Sequence, residues 1–304
     1  MIPLSRAFRS FCLHHRCLSS LMEVPFSKYE GAGNDFIVVD MTSRISTPLT
    51  SGQRLRMCNR KTGIGADGVL VLQQSELPGF TFKLLYYNAD GQESSLCGNG
   101  SRCSLAFAEQ IGLVDFDHAG SHVIKFEACD GSHLGGKMAG GQYFVDIRDV
   151  RISDVKRIDE MNYFLNTGSP HHVRFVEHLT QTDVPGIGKE IRWKTYGKEG
   201  SNVNFVQMSL QNPRQISVRT FERGVEDETL ACGTGAVASA IAAYLRHQYD
   251  KKPIGCASSQ DPMTTQVLME GGTLEVAFKL QGNIFSDIRL RGPVRHVFEG
   301  NIVV

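Results

Sequence analysis

The sequence predicts an α+β fold made of two pseudo-symmetric halves, each a mostly antiparallel sheet wrapped around a central helix. The first observation behind this prediction is a repeat: Cys97–Gly100 recurs as Cys232–Gly235, and Gly33-Asn34 recurs as Gly168-Ser169, each 135 residues further along the chain. The second is that short strand-like runs occur in both halves, and the third is that one clear helix follows each repeated cysteine. We therefore interpret the repeat as a duplication.

Strands are predicted where short apolar runs, several of them alternating with polar residues, lie between turn-forming residues. Gly135-Gly136 and Gly140-Gly141 flank residues 137–139 and indicate a hairpin region. The predicted strands are residues 36–39, 69–72, 81–87, 143–147, 204–208, 215–221, 274–278 and 284–290.

Two helices are predicted, one after each repeated cysteine. Ser101–Ile111 is followed by Gly112, which suits the position just beyond a helix end. Ala236–Arg246 ends in basic residues, which suit the carboxyl end of a helix, and it is apolar on nearly all sides. We expect a sheet to enclose this second helix.

The composition excludes several classes of protein. Lys and Arg total 32 and Asp and Glu total 32, so no excess of positive charge is available for a nucleic acid or an anionic membrane. No apolar run reaches the ~18 residues that a membrane span needs. The eight cysteines form no C-x-x-C pair, and no histidine has zinc-site spacing from them. We expect a soluble protein with no nucleic-acid partner, no membrane partner and no bound metal.

Residues 1–22 are predicted to form a tail outside the fold. The first 21 residues contain three arginines and four serines but no acidic residue, which is typical of an organellar transit peptide. An upstream start codon, with Met22 as the natural start, is the other interpretation. The expected localisation is cytoplasmic, or plastid or another organelle if residues 1–21 are a transit peptide. We expect halves at 23–150 and 151–290, and a segment at 291–304 that packs back on the first half.

Each repeated cysteine is predicted to lie at the start of a helix and to be followed by Gly-x-Gly. The first N–H groups of a helix have no intrahelical partner and attract an anion, and glycine lets that anion approach. The same field lowers the pKa of a thiol from ~8.5 toward neutrality. We therefore expect one anion site and one reactive thiol in each half.

Several chemistries could use such a pair of sites. A cysteine phosphatase needs Cys-x5-Arg, but Arg102 is one residue too close to Cys97, and no arginine is near Cys232. A Cys-His hydrolase leaves the second cysteine unexplained, and a non-catalytic anion-binding protein would use the glycines and ignore the sulfurs. Two thiols related by a repeat fit best a racemase or epimerase, in which one group removes a proton from a carbon and the other delivers a proton to its opposite face.

Five blocks of the sequence resemble the diaminopimelate epimerase family, in order and across nearly all of residues 23–304. The resemblance implies a site in a cleft between the two halves, no cofactor, interconversion of LL- and meso-2,6-diaminopimelate in lysine biosynthesis, and a homodimer. A related two-cysteine racemase that acts on another amino acid is the alternative. The blocks are GAGNDFIVVD (31–40), GIGADG (63–68), YNADGQESSLCGNGSRC (87–103), SNVNFV (201–206) and FERGVEDETLACGTGA (221–236).

The resemblance also implies roles for single residues. It matches Cys97 and Cys232 to the acid–base pair of the family, and His171 and Glu222 to positions that help the thiols exchange protons. Glu222 and Arg223 match the pair that grips the α-amino and carboxylate groups. A zwitterionic substrate needs such charges, with amides to fix its orientation. The other expected substrate contacts are Asn34, Asn88, Gly98, Asn99, Asn202, Gly233 and Thr234.

Two positions depart from the family pattern. Many members read GFDQ, with a substrate-binding glutamine, where this chain has Gly68, and many read GNPH where this chain has Ser169 in the second position. Both changes concern how the distal end of the substrate is held. The chemistry expected at Cα is independent of them.

Overall fold

The structure, a computed structural model, describes residues 22–43, 47–94, 96–116, 123–138, 140–249 and 262–304. Residues 1–21 of the predicted tail therefore lie outside the described residues, as does Ala139 of the predicted hairpin. Met22 exchanges two backbone hydrogen bonds with Val304, at 3.0 and 2.9 Å.

In the part of the amino-terminal half that the structure describes, there are eight strands and two helices. In chain order these are β1 (Glu23–Gly31), β2 (Asn34–Met41), α1 (Ser51–Cys58), β3 (Gly68–Gln73), β4 (Phe82–Asn88), α2 (Gly98–Gln110), β5 (Val123–Ala128), β6 (Gly131–Lys137), β7 (Tyr143–Ile147) and β8 (Val150–Arg151).

The carboxyl-terminal half contains ten strands and two helices among the described residues. In chain order these are β9 (Lys156–Arg157), β10 (Asn162–Asn166), β11 (Pro170–Phe175), α3 (Val184–Lys194), β12 (Asn202–Met208), β13 (Gln215–Glu222), β14 (Asp227–Thr229), α4 (Gly233–Tyr249), β15 (Met263–Met269), β16 (Gly272–Gln281), β17 (Ile284–Gly292) and β18 (Arg295–Val303). Two short 3₁₀ helices cover Ile152–Asp154 and Leu179–Gln181.

The two halves repeat one strand topology. In the first half, β2 is parallel to β3, β3 antiparallel to β4, β4 parallel to β5, and β5, β6 and β7 follow antiparallel. In the second half, β11, β12, β13, β15, β16 and β17 repeat this series in the same senses. The predicted fold class of two pseudo-symmetric α+β halves is confirmed. All eight predicted strands are present, as parts of β2, β3, β4, β7, β12, β13, β16 and β17.

Strand pairing also joins the halves to each other. The antiparallel pair of β7 and β17 connects the two series. β18, which follows β17 in the chain, pairs antiparallel with β1 of the first half. The last strand is thus exchanged onto the opposite half, which ties the two halves together through backbone hydrogen bonds.

The central helices are α2 and α4, and both are enclosed by strands. Residues 98–108 of α2 and residues 236–243 of α4 are buried. Alanine at five of these eight α4 positions allows the sheet to approach closely. Both helices begin three residues earlier than predicted, because the Gly-x-Gly segments form first turns rather than loops. None of the helices in the described ranges is long and apolar enough to cross a membrane.

Candidate active site

Two helix starts, one from each half, meet in the interior of the molecule. A methyl group placed on Gly233 would lie 3.7 Å from Gly98 Cα, and a methyl group on either glycine would lie 2.7 Å from Leu290 Cδ2. The absence of side chains at both positions lets the two backbones approach this closely. Because both ends carry unpaired N–H groups and partial positive charge, the space between them favours an anion.

A cysteine caps each of these helix starts. Cys97 is the N-cap residue of α2, and its Sγ accepts a hydrogen bond from Gly100 N at 3.5 Å. Cys232 has the matching position before α4, and its Sγ accepts a hydrogen bond from the backbone of Gly235. The repeated Gly-x-Gly therefore supplies the N–H group that faces each sulfur.

Burial dominates the acidity of both thiols. It raises the pKa of Cys97 to about 11, although the N–H of Gly100 acts in the opposite direction. Burial also raises the pKa of Cys232, against the effect of hydrogen bonds from Gly235 and Thr234. The prediction that the helix field lowers both pKa values toward neutrality is therefore wrong for the free protein, because desolvation of a thiolate outweighs the donors that face it.

Glu222, the last residue of β13, lies within electrostatic reach of both sulfurs. Its negative charge adds to burial in raising the pKa values of Cys97 and Cys232. Its own pKa is raised, chiefly by burial, while Thr229 Oγ1 donates a hydrogen bond to Glu222 Oε2 at 2.9 Å. We call the space that these three groups border the cleft. A cation bound beside Glu222 would remove the charge that opposes thiolate formation.

Behind each helix start, the strand register places three residues in one row. Residues paired across neighbouring strands project to the same face of a sheet. The row behind Cys97 is largely without charge, whereas the row behind Cys232 carries titratable groups. The rows are Phe36, Gly68 and Asn88 in the first half and His171 and Asn202 in the second, which Glu222 continues one residue beyond the paired Val203 and Phe221.

A chain of hydrogen bonds connects the second row to Cys232. Asn204 Nδ2 donates to His171 Nδ1 at 3.0 Å, which assigns the ring proton to Nε2. His171 Nε2 donates to Thr234 Oγ1 at 2.9 Å, so the Thr234 hydroxyl proton is available to Cys232 Sγ, 3.7 Å away. Thr220 Oγ1 donates to Asn204 Oδ1 at 3.0 Å and fixes the orientation of the amide.

The buried histidines of β11 give the fold a predictable dependence on pH. Burial lowers the pKa of His171 from 6.5 to about 3 and that of His172 from 6.5 to about 4. The folded protein thus excludes protons that the unfolded chain binds, so stability is highest above the unfolded pKa and falls as pH drops through it. We expect each histidine to remove up to about 1.4 kcal/mol of unfolding free energy per pH unit in that window.

Denaturant unfolding at several pH values between about 7.5 and 5 measures this dependence. His172→Gln should flatten the decline with falling pH, since the substituted residue has no proton to exclude. His178→Gln, at an exposed position, is the control and should keep the wild-type slope. Equal slopes for the wild type and His172→Gln would contradict the prediction.

The region behind Cys97 is filled mainly by aromatic rings. Phe36 and Tyr86 pack edge to face with ring centroids 6.0 Å apart. A Cβ on Gly68 would lie 2.6 Å from Tyr86 Cε2, so the ring occupies the space that a side chain at position 68 needs. Burial raises the pKa of Tyr86, and the charges of Cys97 and Glu222 raise it further. The Tyr86 hydroxyl is therefore neutral.

An amide acceptor faces Cys97. Asn34 Nδ2 donates to Asp67 Oδ2 at 2.6 Å, which leaves Asn34 Oδ1 3.7 Å from Cys97 Sγ. Asp67 is held in turn by Arg60, whose guanidinium lies 2.7 Å from both Asp67 and Asp35. Because a carbonyl oxygen only accepts hydrogen bonds, it pairs with the protonated form of this thiol.

The remaining predicted residues differ in how they face the cleft. Asn202 is 4% exposed, and both polar ends of its amide are used: Oδ1 accepts from Arg223 N at 2.9 Å, and Nδ2 donates to Pro170 O at 3.1 Å. The Arg223 side chain is exposed, donates to Glu199 O at 2.8 Å, and its charge helps to lower the pKa of His171. Asn88 is exposed at the end of β4. Asn202 thus holds the backbone of Arg223 in place, and both polar ends of its amide are already hydrogen-bonded.

Sequence reasoning missed four residues that contact or face the predicted ones: Asp67, Tyr86, Asn204 and Thr220. Strand alternation is the signal that could have found three of them, because the spacing from Asn202 to Asn204, from Asn88 to Tyr86 and from Glu222 to Thr220 puts each pair on one face. Asp67 is recognisable only from its hydrogen bonds. Within the described ranges, no group of three or more His, Cys, Asp or Glu is arranged to hold a metal ion.

Solved structures that share this fold include two whose sequence identity to this chain is low. A PhzF-family phenazine biosynthesis protein of Bacillus anthracis superposes with a TM-score of 0.65 at 15% identity, covering 93% of this chain and 100% of that one. A probable proline racemase from Agrobacterium radiobacter K84 superposes with a TM-score of 0.61 at 14% identity, covering 92% of each chain. These similarities establish the fold.

Sequence comparison identifies closer relatives. The diaminopimelate epimerase of Flavobacterium psychrophilum is 40% identical over 281 residues, which cover 90% of this chain and 98% of that protein. The diaminopimelate epimerase of Aquifex aeolicus is 33% identical over 297 residues, which cover 91% and 97%. The family model of diaminopimelate epimerase matches residues 26–127 and 163–297. With both repeated cysteine sites inside these matches, the chain belongs to the diaminopimelate epimerase family.

Proposed function

We propose that this protein is an isomerase that interconverts LL-2,6-diaminopimelate and meso-2,6-diaminopimelate, a step of lysine biosynthesis, without a cofactor. Membership of the family supports this substrate. The observation that carries the mechanism is the pair of capping thiols at two helix starts that meet, with Glu222 in electrostatic reach of both. Two thiols on opposite sides of one bound carbon can act as base and acid in turn.

The reacting end of an amino acid is a zwitterion, and the cleft has a partner for each charge. We assign the α-carboxylate to the N–H groups at Gly98-Asn99 and Gly233-Thr234, where the helix starts favour an anion. We assign the α-ammonium to Glu222, with Arg223 contributing to the grip on the carboxylate from the rim. Since Glu222 raises both thiol pKa values, an ammonium bound beside it lowers them. Substrate binding therefore promotes the thiolate that the free protein disfavours.

In the proposed reaction, one cysteine takes a proton from Cα and the other gives one back. One cysteine, as thiolate, takes the Cα proton and becomes a thiol, while the electron pair of the C–H bond remains on the substrate as a carbanion. The other cysteine, as thiol, gives its proton to the opposite face of Cα and becomes a thiolate. Fixed N–H donors at the helix starts stabilise the growing negative charge, and each such donor is worth about 10²–10³ in rate. The reverse reaction exchanges the two roles.

Polar neighbours prepare each thiol for its role. The Thr234 hydroxyl, oriented by neutral His171, donates toward Cys232 and supports its thiolate form. The Asn34 carbonyl accepts from Cys97 and supports its thiol form. We propose that Asn34 and Asn88 also contact the bound substrate, and that Asn202 acts through the backbone of Arg223.

We further propose a homodimer in the cytoplasm, or in an organelle if residues 1–21 are a transit peptide. Val297 and Phe298 of β18 are each 45% exposed, and exposed apolar side chains on a strand favour burial against a second copy. Sedimentation equilibrium measures the assembly, and a monomer mass at micromolar concentration would contradict it.

Incubation of the reduced protein with LL-diaminopimelate, followed by chiral chromatography, tests the reaction. We expect meso-diaminopimelate to form, and free proline and lysine to remain unchanged. Racemisation of proline instead would favour a related two-cysteine racemase. Ligand binding that survives Cys97→Ser without any isomerisation by the wild type would favour a non-catalytic anion-binding protein.

A further inference from the structure

A buried arginine without a carboxylate partner lies in the first turns of α2. Arg102 is 0% exposed. Its Nη1 donates to Gly98 O at 3.3 Å and its Nη2 to Asn99 Oδ1 at 2.9 Å, whereas Nε has no partner. No Asp or Glu of the described ranges forms an ion pair with this guanidinium. Arg192, the other buried arginine of those ranges, has the usual arrangement, with Glu226 Oε1 3.1 Å away.

This arrangement is unfavourable in two respects. A guanidinium taken out of water loses hydration that only a nearby negative charge restores in full. The side chain also turns back along its own helix to Gly98, so its charge lies at the positive end of the α2 dipole. A methyl group on Gly292 would lie 3.0 Å from Nη2, so β17 closes this pocket on the other side. The fold therefore holds a buried positive charge that a negative charge beside the start of α2 would stabilise.

Three acidic groups act on Arg102, and two of them are unavailable as partners. Burial lowers the pKa of Arg102, while negative charge on Cys103, Cys97 or Glu30 opposes that effect. Cys103 is fully buried, and burial raises its pKa so far that it stays a neutral thiol. Glu30 already lies 3.4 Å from Arg295. Cys97 remains, and the charge of Arg102 lowers the pKa of Cys97 in return.

We propose that Arg102 is a positioning residue for the proton transfer: its buried charge stabilises the thiolate of Cys97, and its bonds to Gly98 and Asn99 hold the start of α2 against that of α4. The proposal rests on the two-thiol mechanism given above. This role would be specific to the first half, because the position matching Arg102 in the repeat is Val237. The thiolate of Cys97 is thus stabilised by a buried cation, and the thiolate of Cys232 by the hydroxyl of Thr234.

The charges that face Cys97 come from two elements. Glu222 of β13 opposes the thiolate and Arg102 of α2 favours it, whereas Tyr86 of β4 is neutral. When a bound ammonium neutralises Glu222, the α-carboxylate assigned to the helix starts still opposes the thiolate, and Arg102 is the buried cation that favours it. The arginine thus matters most when substrate is bound, at the moment when a thiolate is needed.

Two substitutions separate the charge of Arg102 from its hydrogen bonds. Arg102→Gln keeps a donor for Asn99 Oδ1 but has no charge, whereas Arg102→Lys keeps the charge. The readout is the pH dependence of iodoacetamide labelling of Cys97 and Cys232, resolved by peptide mapping of the full-length protein. Arg102→Gln should raise the labelling pKa of Cys97 by about one unit or more, which is at least tenfold less thiolate at neutral pH. Cys232 should change less, and Arg102→Lys should restore most of the shift.

Arg192→Gln is the matched control, because it removes a buried guanidinium that lies in α3 and is paired with Glu226. It should lower stability without moving the labelling pKa of Cys97. An unchanged Cys97 in folded Arg102→Gln, or equal shifts in the Gln and Lys variants, would overturn the proposal. If Arg102→Gln fails to fold, a Cys97 shift of one unit in Arg102→Lys would overturn it as well. Failure of the wild type to turn over diaminopimelate, with the expected labelling shift, would instead contradict the proposed function alone.

Discussion

Replacing Cys97 or Cys232 by alanine is expected to abolish epimerisation in both directions. Each thiol reaches one face of the bound Cα, so a single remaining thiol removes and returns a proton on the same face and inverts nothing. Loss of a positioned acid or base typically costs about 10²–10⁴ in rate, and here the missing group is needed in every turnover. Cys17→Ala, in the tail predicted to lie outside the fold, should keep full activity.

Solvent deuterium distinguishes the two-thiol mechanism from a route with one base. In D₂O the wild-type product should carry deuterium at the inverted carbon from the first turnover, because the donating thiol has exchanged with solvent, while the substrate gains deuterium more slowly. Each alanine variant should at most exchange the Cα hydrogen of one stereoisomer, and the two variants should act on opposite stereoisomers. Epimerisation by either variant, or a product without solvent deuterium, would disprove the assignment of the two cysteines.

Much of this architecture could be predicted because short sequence patterns specify it. The Cys-Gly-x-Gly repeat indicated two equivalent helix starts, and the apolar residues of α4 indicated a helix enclosed by a sheet. Gly112 marked the end of α2, where its φ of 71° follows the C-cap residue Ile111. These features depend on residues close in sequence, which is where propensity and periodicity are informative.

The shorter helices were not predicted, for identifiable reasons. α1 has eight residues and buries only its last two, so it shows no apolar periodicity, although the capping box of Thr50 and Gln53 is a usable signal. α3 contains Gly186 and Gly188, which reduce helix propensity. Gly188 is needed for packing, because a Cβ there would lie 2.4 Å from Phe221 Cβ. Tertiary contact outweighs local preference at this position.

The acidity of the two thiols could not be predicted from the sequence. The helix starts were visible as local patterns, and they favour a thiolate. The opposing effects come from burial and from Glu222, which is 125 residues from Cys97 in the chain and 10 from Cys232. Which residues enclose a sulfur depends on how the halves assemble. No spacing within one sequence gives that information, so the direction of the pKa shift was predicted incorrectly.

Gly235→Ala is expected to reduce turnover much more than the symmetry-related Gly100→Ala. A Cβ at position 235 would lie 2.3 Å from Asn204 Oδ1, whereas the nearest neighbour of a Cβ at position 100 is the flexible Leu70 Cδ2 at 3.0 Å. Real side chains do not tolerate the first distance, so Asn204 must move. It is tied to Thr220 and to the ring of His171, and its displacement leaves buried polar groups unsatisfied.

The size of the effect follows from the hydrogen bonds that are lost. An unsatisfied buried group costs about 1–3 kcal/mol, and if this cost applies in the transition state it corresponds to about 5- to 150-fold in kcat. Gly100→Ala should lose less than about fivefold, because a methyl group of Leu70 can rotate away. Both variants are compared by kcat for LL-diaminopimelate and by unfolding free energy, which shows whether the loss is confined to catalysis.

A double-mutant cycle identifies the cause of that loss. If the added methyl group acts through Asn204, then Gly235→Ala should cost little further activity in an Asn204→Gly background, where the obstructing amide is absent. Asn204→Gly alone should reduce kcat, since the His171 ring then loses the donor that places its proton on Nε2 and its hydrogen bond to Thr234. Full additivity of the two substitutions would mean that Gly235 acts on Cys232 directly, where the same Cβ would lie 3.3 Å from Sγ. In that case the loss in Gly235→Ala would arise at the sulfur and not through the polar chain behind Cys232.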